Sequence, residues 1–133
     1  MLKKIISWIP SLCIMALIFR LSMDTGTESS SLSGTLSGYL HIPDFFIRKA
    51  AHITEYMLLT LSLALPLRVS IGLNKKNTAL FMAVIAVLYA SSDEIHQDFV
   101  SGRSGHVRDV LIDSIGIFLG VAFFLILNRK KPV

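Results

Sequence analysis

The chain has 133 residues, 53% of them hydrophobic, with a mean hydropathy of +0.64. A soluble domain of this size is rarely so apolar, and the apolar residues fall in four separated runs, so one all-α polytopic membrane domain over 1–133 is expected, without a soluble module. The formal charge of +4 and the pI of about 9.5 come from basic residues that flank the runs, where they serve as topology signals and anchors for acidic headgroups; nucleic acid is not an expected partner.

The first run, from Ile5 to Phe19, follows Lys3 and Lys4 and meets Arg20 roughly 24 Å beyond Lys4 at the rise of a helix. Phe19, Arg20 and Leu21 stand where a signal peptide would carry small residues, so a retained helix is expected. Cys13, the one cysteine, lies inside this run and can form no internal disulfide. The segment from Ser22 to Pro43 has the Ser, Thr and Gly content of a linker. Leu32, Leu36, Tyr39 and Leu40 nevertheless recur in it at helical spacing, which predicts an amphipathic surface helix weakened by Gly34 and Gly38. Asp44 is expected to cap a helix beginning at Phe45, with Pro66 marking its far end.

Read backwards from Arg68, this second run meets Glu55 and His52 at roughly 20 and 24 Å. The third begins at Thr78, after Asn74 and Asn77 with no strong cap signal, and meets Asp93 and Glu94 at roughly 22 to 24 Å. Ser101, Gly102, Arg103, Ser104 and Gly105 form a predicted tight turn. The fourth run, read backwards from Asn128, meets Asp113 and Asp109 at roughly 22 and 28 Å.

A hydrocarbon core is about 30 Å thick, so these charges fall inside it at one depth, towards one surface. An Asp or Arg at the centre of a spanning helix costs roughly 2.5 to 3.5 kcal/mol on insertion scales, so a cluster requires a compensating partner or a function. Three segments carry bases and no acid: Lys3 with Lys4, then Arg68 with Lys75 and Lys76, then Arg129 to Lys131. That asymmetry predicts both termini and the middle loop in the cytoplasm and an outward-facing polar cluster.

Helical spacing assigns faces. Ala79, Ala83, Ala86 and Ala90 form a stripe that continues into Asp93, Glu94 and Gln97, and Asp109, Asp113, Gly116 and Gly120 form a second line. Small residues let helices approach closely, so both lines are expected to face protein, carrying their acids inward. In the second run His52, Glu55, Leu59, Ser62 and Pro66 share a face, with Lys49 and Tyr56 on its flank. Tyr39, Phe45, Phe46 and Tyr56 are expected to be interfacial anchors or core.

Four features together resemble the VanZ-like membrane protein family: Phe19 to Ser22; Lys49, His52, Glu55 and Tyr56 in one run; Ser92 to Val100 with Gly102 to Gly105; and Asp109, Val110, Asp113, Gly116 and Gly120. The resemblance covers nearly the whole chain. Met23 and Asp24 depart from a common Ser-Gln pair, and Ser101 from a frequent proline. The family takes its name from a protein associated with teicoplanin resistance in bacteria. The resemblance therefore implies a multi-pass protein of the bacterial cytoplasmic membrane with a role in glycopeptide resistance, and implies no particular reaction.

For the site, binding uses the residues most economically. His52, Glu55, Asp93, Glu94, Gln97, Arg103, Asp109 and Asp113 are the candidate site, with Arg20 and Lys49 as charge partners. Arg48, Lys49, Arg103 and Arg108 at headgroup level suit a phosphate or carboxylate, and the acids beneath accept from amides and hydroxyls. An amphiphile fits, such as a lipid-linked cell-wall precursor or a lipoglycopeptide, with membrane lipids alongside. No cofactor is expected. The alternative of a metal-dependent hydrolase rests on His52, Glu55, Glu94, His96 and Asp113, which are donor types zinc or manganese accepts, but they lack a histidine pair at i, i+4. In a third alternative the acids only pair with Arg20, Lys49, His52 or Arg103 and serve helix packing.

Overall fold

A computed structural model describes residues 1–23, 26–100 and 107–129. Its helices are α1 (Leu2–Ile6), α2 (Ile9–Ser22), α3 (Gly26–Leu40), α4 (Asp44–Val69), α5 (Lys75–Gln97) and α6 (Val107–Leu127), with no strand among the described residues. Leu2–Ser22, Asp44–Val69, Lys75–Gln97 and Arg108–Leu127 are each long and apolar enough to cross a bilayer.

The first span is not one helix. Pro10, at the start of α2, has no N–H for the Ile6 carbonyl and its ring crowds that carbonyl, so the helix ends at Ile6 and restarts past Ser7 and Trp8. Ser7 Oγ bonds the Lys4 carbonyl at 2.7 Å and lies 3.0 Å from Ser70 Oγ, which bonds the same carbonyl at 2.7 Å. The break is thereby fastened to the end of α4. The segment after the first span is helical: α3 runs to Leu40, where His41 takes a positive φ of 54° and turns the chain.

Two helix starts differ from expectation. Pro43 is the N-cap of α4 and Asp44 lies in its first turn, where the carboxylate meets the positive end of the helix dipole and pairs with Arg48 at 3.4 Å. Asn74 does cap α5, its side chain accepting from the Asn77 N–H at 3.0 Å. Pro66 lies inside α4, which runs on to Val69.

Packing centres on α4, which lies most extensively against α6 and also meets α5, α2 and α3, while α6 also packs on α5. Glycine makes the α4–α6 approach possible: a Cβ on Gly116 would lie 2.2 Å from the Ile53 carbonyl oxygen, and one on Gly120 would lie 2.9 Å from Thr60 Cβ. On α5, Ala79, Ala86 and Ala90 are buried around Met82. Outward-facing side chains are large and apolar, among them Leu12 and Leu17 of α2, Leu58 of α4, Leu88 of α5 and Phe118 of α6. Inward-facing ones include Ser11, Thr60, Thr78, Asp93, Glu94, Gln97 and Asp113. Polar inside and apolar outside is the distribution that a lipid solvent selects.

Candidate functional site

Successive spans alternate in direction, so the last turns of α2 and α5 share one end of the bundle with the first turns of α4 and α6. At that end the charges predicted to share a depth come together.

Asp93, 4% exposed, is the acceptor of a closed network. Ser22 Oγ donates to its Oδ1 at 2.6 Å, and Tyr56 OH and Gln97 Nε2 donate to its Oδ2 at 3.2 and 3.1 Å. Gln97 Nε2 also reaches Ser22 Oγ at 3.2 Å. Three helices thus meet on one carboxylate: α2 through Ser22, α4 through Tyr56, and α5 through Asp93 and Gln97. Asp93 and Gln97 are one turn apart on α5, which lets the amide fold back onto the acid.

Asp113 is fully buried on α6. His52 Nδ1 of α4 lies 3.3 Å from its Oδ1, without hydrogen-bond geometry. Gly116 one turn below lets the α6 backbone approach α4 closely and so sets this contact. Asp113 lies at the same end of the bundle as the buried Asp93 and Tyr56. Nearer the end of the bundle, Lys49 Nζ lies 2.5 Å from Asp109 Oδ1 and 5.5 Å from the centre of the Phe45 ring. Lys49, Asp109 and His52 are partly exposed, so the groups step from a wetted rim to the enclosed Asp113.

Glu94 is buried beside Asp93 on α5, and Glu55 is half-buried on α4 one turn beyond His52. Arg20 is exposed in the last turn of α2. His96 stacks on Phe19, with ring centres 4.7 Å apart. Arg103 lies outside the described residues, as does the turn predicted around it. Among the described residues no three His, Cys, Asp or Glu side chains converge to hold a metal ion.

Sequence reasoning overlooked two participants. Tyr56, expected as an anchor or core residue, is 0% exposed and its hydroxyl serves Asp93. Ser22 figured only within the Phe19 to Ser22 run, yet it makes the shortest bond to that carboxylate. The buried arc of α4 holds Tyr56, Leu59, Thr60, Leu63 and Leu67, a stripe at helical spacing that could have placed Tyr56 inward.

The model of the VanZ/LLP1 family matches residues 7–128. The chain belongs to the VanZ/LLP1 family. The matched range includes each helix that contributes to the Asp93 and Asp113 networks. An uncharacterised membrane protein of Bacillus subtilis (strain 168), YwnJ, is 30% identical over 92 residues, covering 69% of this chain. The chain spans 59% of that relative's own length. No solved structure matches. Family membership, the membrane-protein relative and the four apolar helices make this chain a multi-pass membrane protein.

Proposed function

We propose that this VanZ-family protein binds the polar head of an amphiphilic envelope molecule at the end of the bundle where Asp93 and Asp113 lie, in the outer leaflet of a bacterial cytoplasmic membrane. The observation that carries this is the convergence of buried Asp93, Asp113, Glu94, Gln97 and Tyr56 beneath a rim bearing Lys49 and Asp109. Polar groups within a membrane are costly and are concentrated where a substrate or ion is handled. Apolar outer surfaces on the same helices lie alongside acyl or prenyl tails, so head and tail of an amphiphile are both accommodated. Basic residues at the opposite end, Lys3, Lys4, Arg68, Lys75 and Lys76, favour the orientation with the polar cluster facing outward.

A role in glycopeptide resistance follows from the family resemblance, with a lipoglycopeptide or a lipid-linked wall precursor as the bound molecule. The test is mass spectrometry of lipids that co-purify with the protein, alongside teicoplanin susceptibility of expressing cells. One envelope amphiphile enriched on the wild type and lost from Asp113→Asn supports binding. Equal lipid content in both proteins defeats it. A hydrolase would draw on the same His52–Asp113 contact for proton transfer, and turnover of the enriched molecule would reveal it.

A further inference from the structure

We infer that the head group received at this site carries a primary ammonium, held at Asp113; this rests on the amphiphile-binding function proposed above. Asp93 and Asp113 are both buried, at 4% and 0% exposure, and among the described residues neither is paired with a lysine or arginine. Asp93 takes its hydrogen bonds from the neutral donors Ser22, Tyr56 and Gln97. Among the described residues neither oxygen of Asp113 accepts a hydrogen bond, and the His52 imidazole lies 3.3 Å from its Oδ1. A buried carboxylate without donors is stabilised by a cation or by added donors.

At the rim Lys49 is already committed to Asp109 and Arg48 pairs with Asp44. The acceptor capacity left over belongs to Asp113, and an acceptor selects a donor-bearing cation over a phosphate. An ammonium supplies three N–H donors and one positive charge, matching an acceptor without donors beside a carboxylate already held in place. His52, partly exposed, lies 3.3 Å from Asp113 Oδ1 on the side of the rim.

The test uses the full chain in detergent, titrated by native mass spectrometry with three lipids of equal acyl length. Phosphatidylethanolamine carries the primary ammonium, phosphatidylcholine the same phosphate with a quaternary nitrogen that has no N–H, and phosphatidylglycerol hydroxyls without a cation. Phosphatidylethanolamine should bind at least about tenfold more tightly than phosphatidylcholine, as expected of one charge-assisted hydrogen bond. Asp113→Asn should remove that preference. Asp113→Ser, smaller and uncharged, should remove it likewise and serves as the second variant where Asp113→Asn fails to fold; a preference retained in the folded variant overturns the assignment. Equal binding of all three lipids overturns the ammonium assignment while amphiphile binding stands. Preference for phosphatidylglycerol also overturns it, placing recognition on the cations of the rim. Retention of no lipid by the wild type defeats both proposals.

Discussion

Asp93 and Asp113 are both aspartates inside a membrane bundle, yet their surroundings differ. Asp93 accepts from three side chains, so its charge is spread over fixed donors, and it ties α2 to α4 and α5. Deleting one donor is mild: Tyr56→Phe should cost about 1 kcal/mol, because hydrogen bonds between membrane helices contribute modestly when the unfolded reference also lies in the membrane. Asp93→Ala leaves Tyr56, Gln97 and Ser22 without their common acceptor and should cost more, about 1 to 3 kcal/mol. Thermal unfolding in detergent measures both, and a Tyr56→Phe protein as labile as Asp93→Ala would contradict the shared-acceptor network. The acids were legible in the sequence because a charge in an apolar run stands out. Their donors were not, since serine and tyrosine near a span end are common as anchors, and only the crossing of α2 over α4 and α5 makes them partners.

At the scale of elements, glycine and alanine decide how near the helices come. Gly116→Ala would set a methyl 2.2 Å from a backbone oxygen of α4, an atom unable to rotate away, so the helices must separate. The expected cost is about 1 to 3 kcal/mol, together with loss of the His52–Asp113 contact one turn above. Gly120→Ala meets Thr60 Cβ at 2.9 Å and the Met57 carbonyl at 3.0 Å, and should be the milder change. Disulfide cross-linking between cysteines placed on α4 and α6 would read the separation, and unchanged efficiency in Gly116→Ala would refute it.

The opposite end of the bundle is tied differently. Lys75 Nζ bonds the Asn128 carbonyl at 2.9 Å and Arg68 bonds the Asn128 side chain at 2.8 Å, so bases of α4 and α5 close the end of α6. Lys75→Ala should loosen the last turn of α6 by a few tenths of a kcal/mol to about 1 kcal/mol. Faster hydrogen exchange over 124–128 would show it, with the Asp93 end unaffected.

Over the whole molecule, alternating spans place the Ile71 turn and Phe99 at opposite ends of the bundle, and both side chains are exposed. In a Cys13→Ser background, Ile71→Cys should react with a membrane-impermeant thiol reagent only from the cytoplasm and Phe99→Cys only from outside. Reaction of both from one side would remove the topology on which the outer-leaflet site depends.

The sequence by itself determined four spans, the packing stripes of α5 and α6 and the common depth of the acids, because bilayer thickness and helical rise are fixed lengths that can be counted along a chain. Only the tertiary structure decided which acid is satisfied and which is not. Spacing along α5 and α6 turns Asp93 and Asp113 inward alike, whereas the donors that distinguish them arrive from other helices, at distances set by how closely the backbones pack.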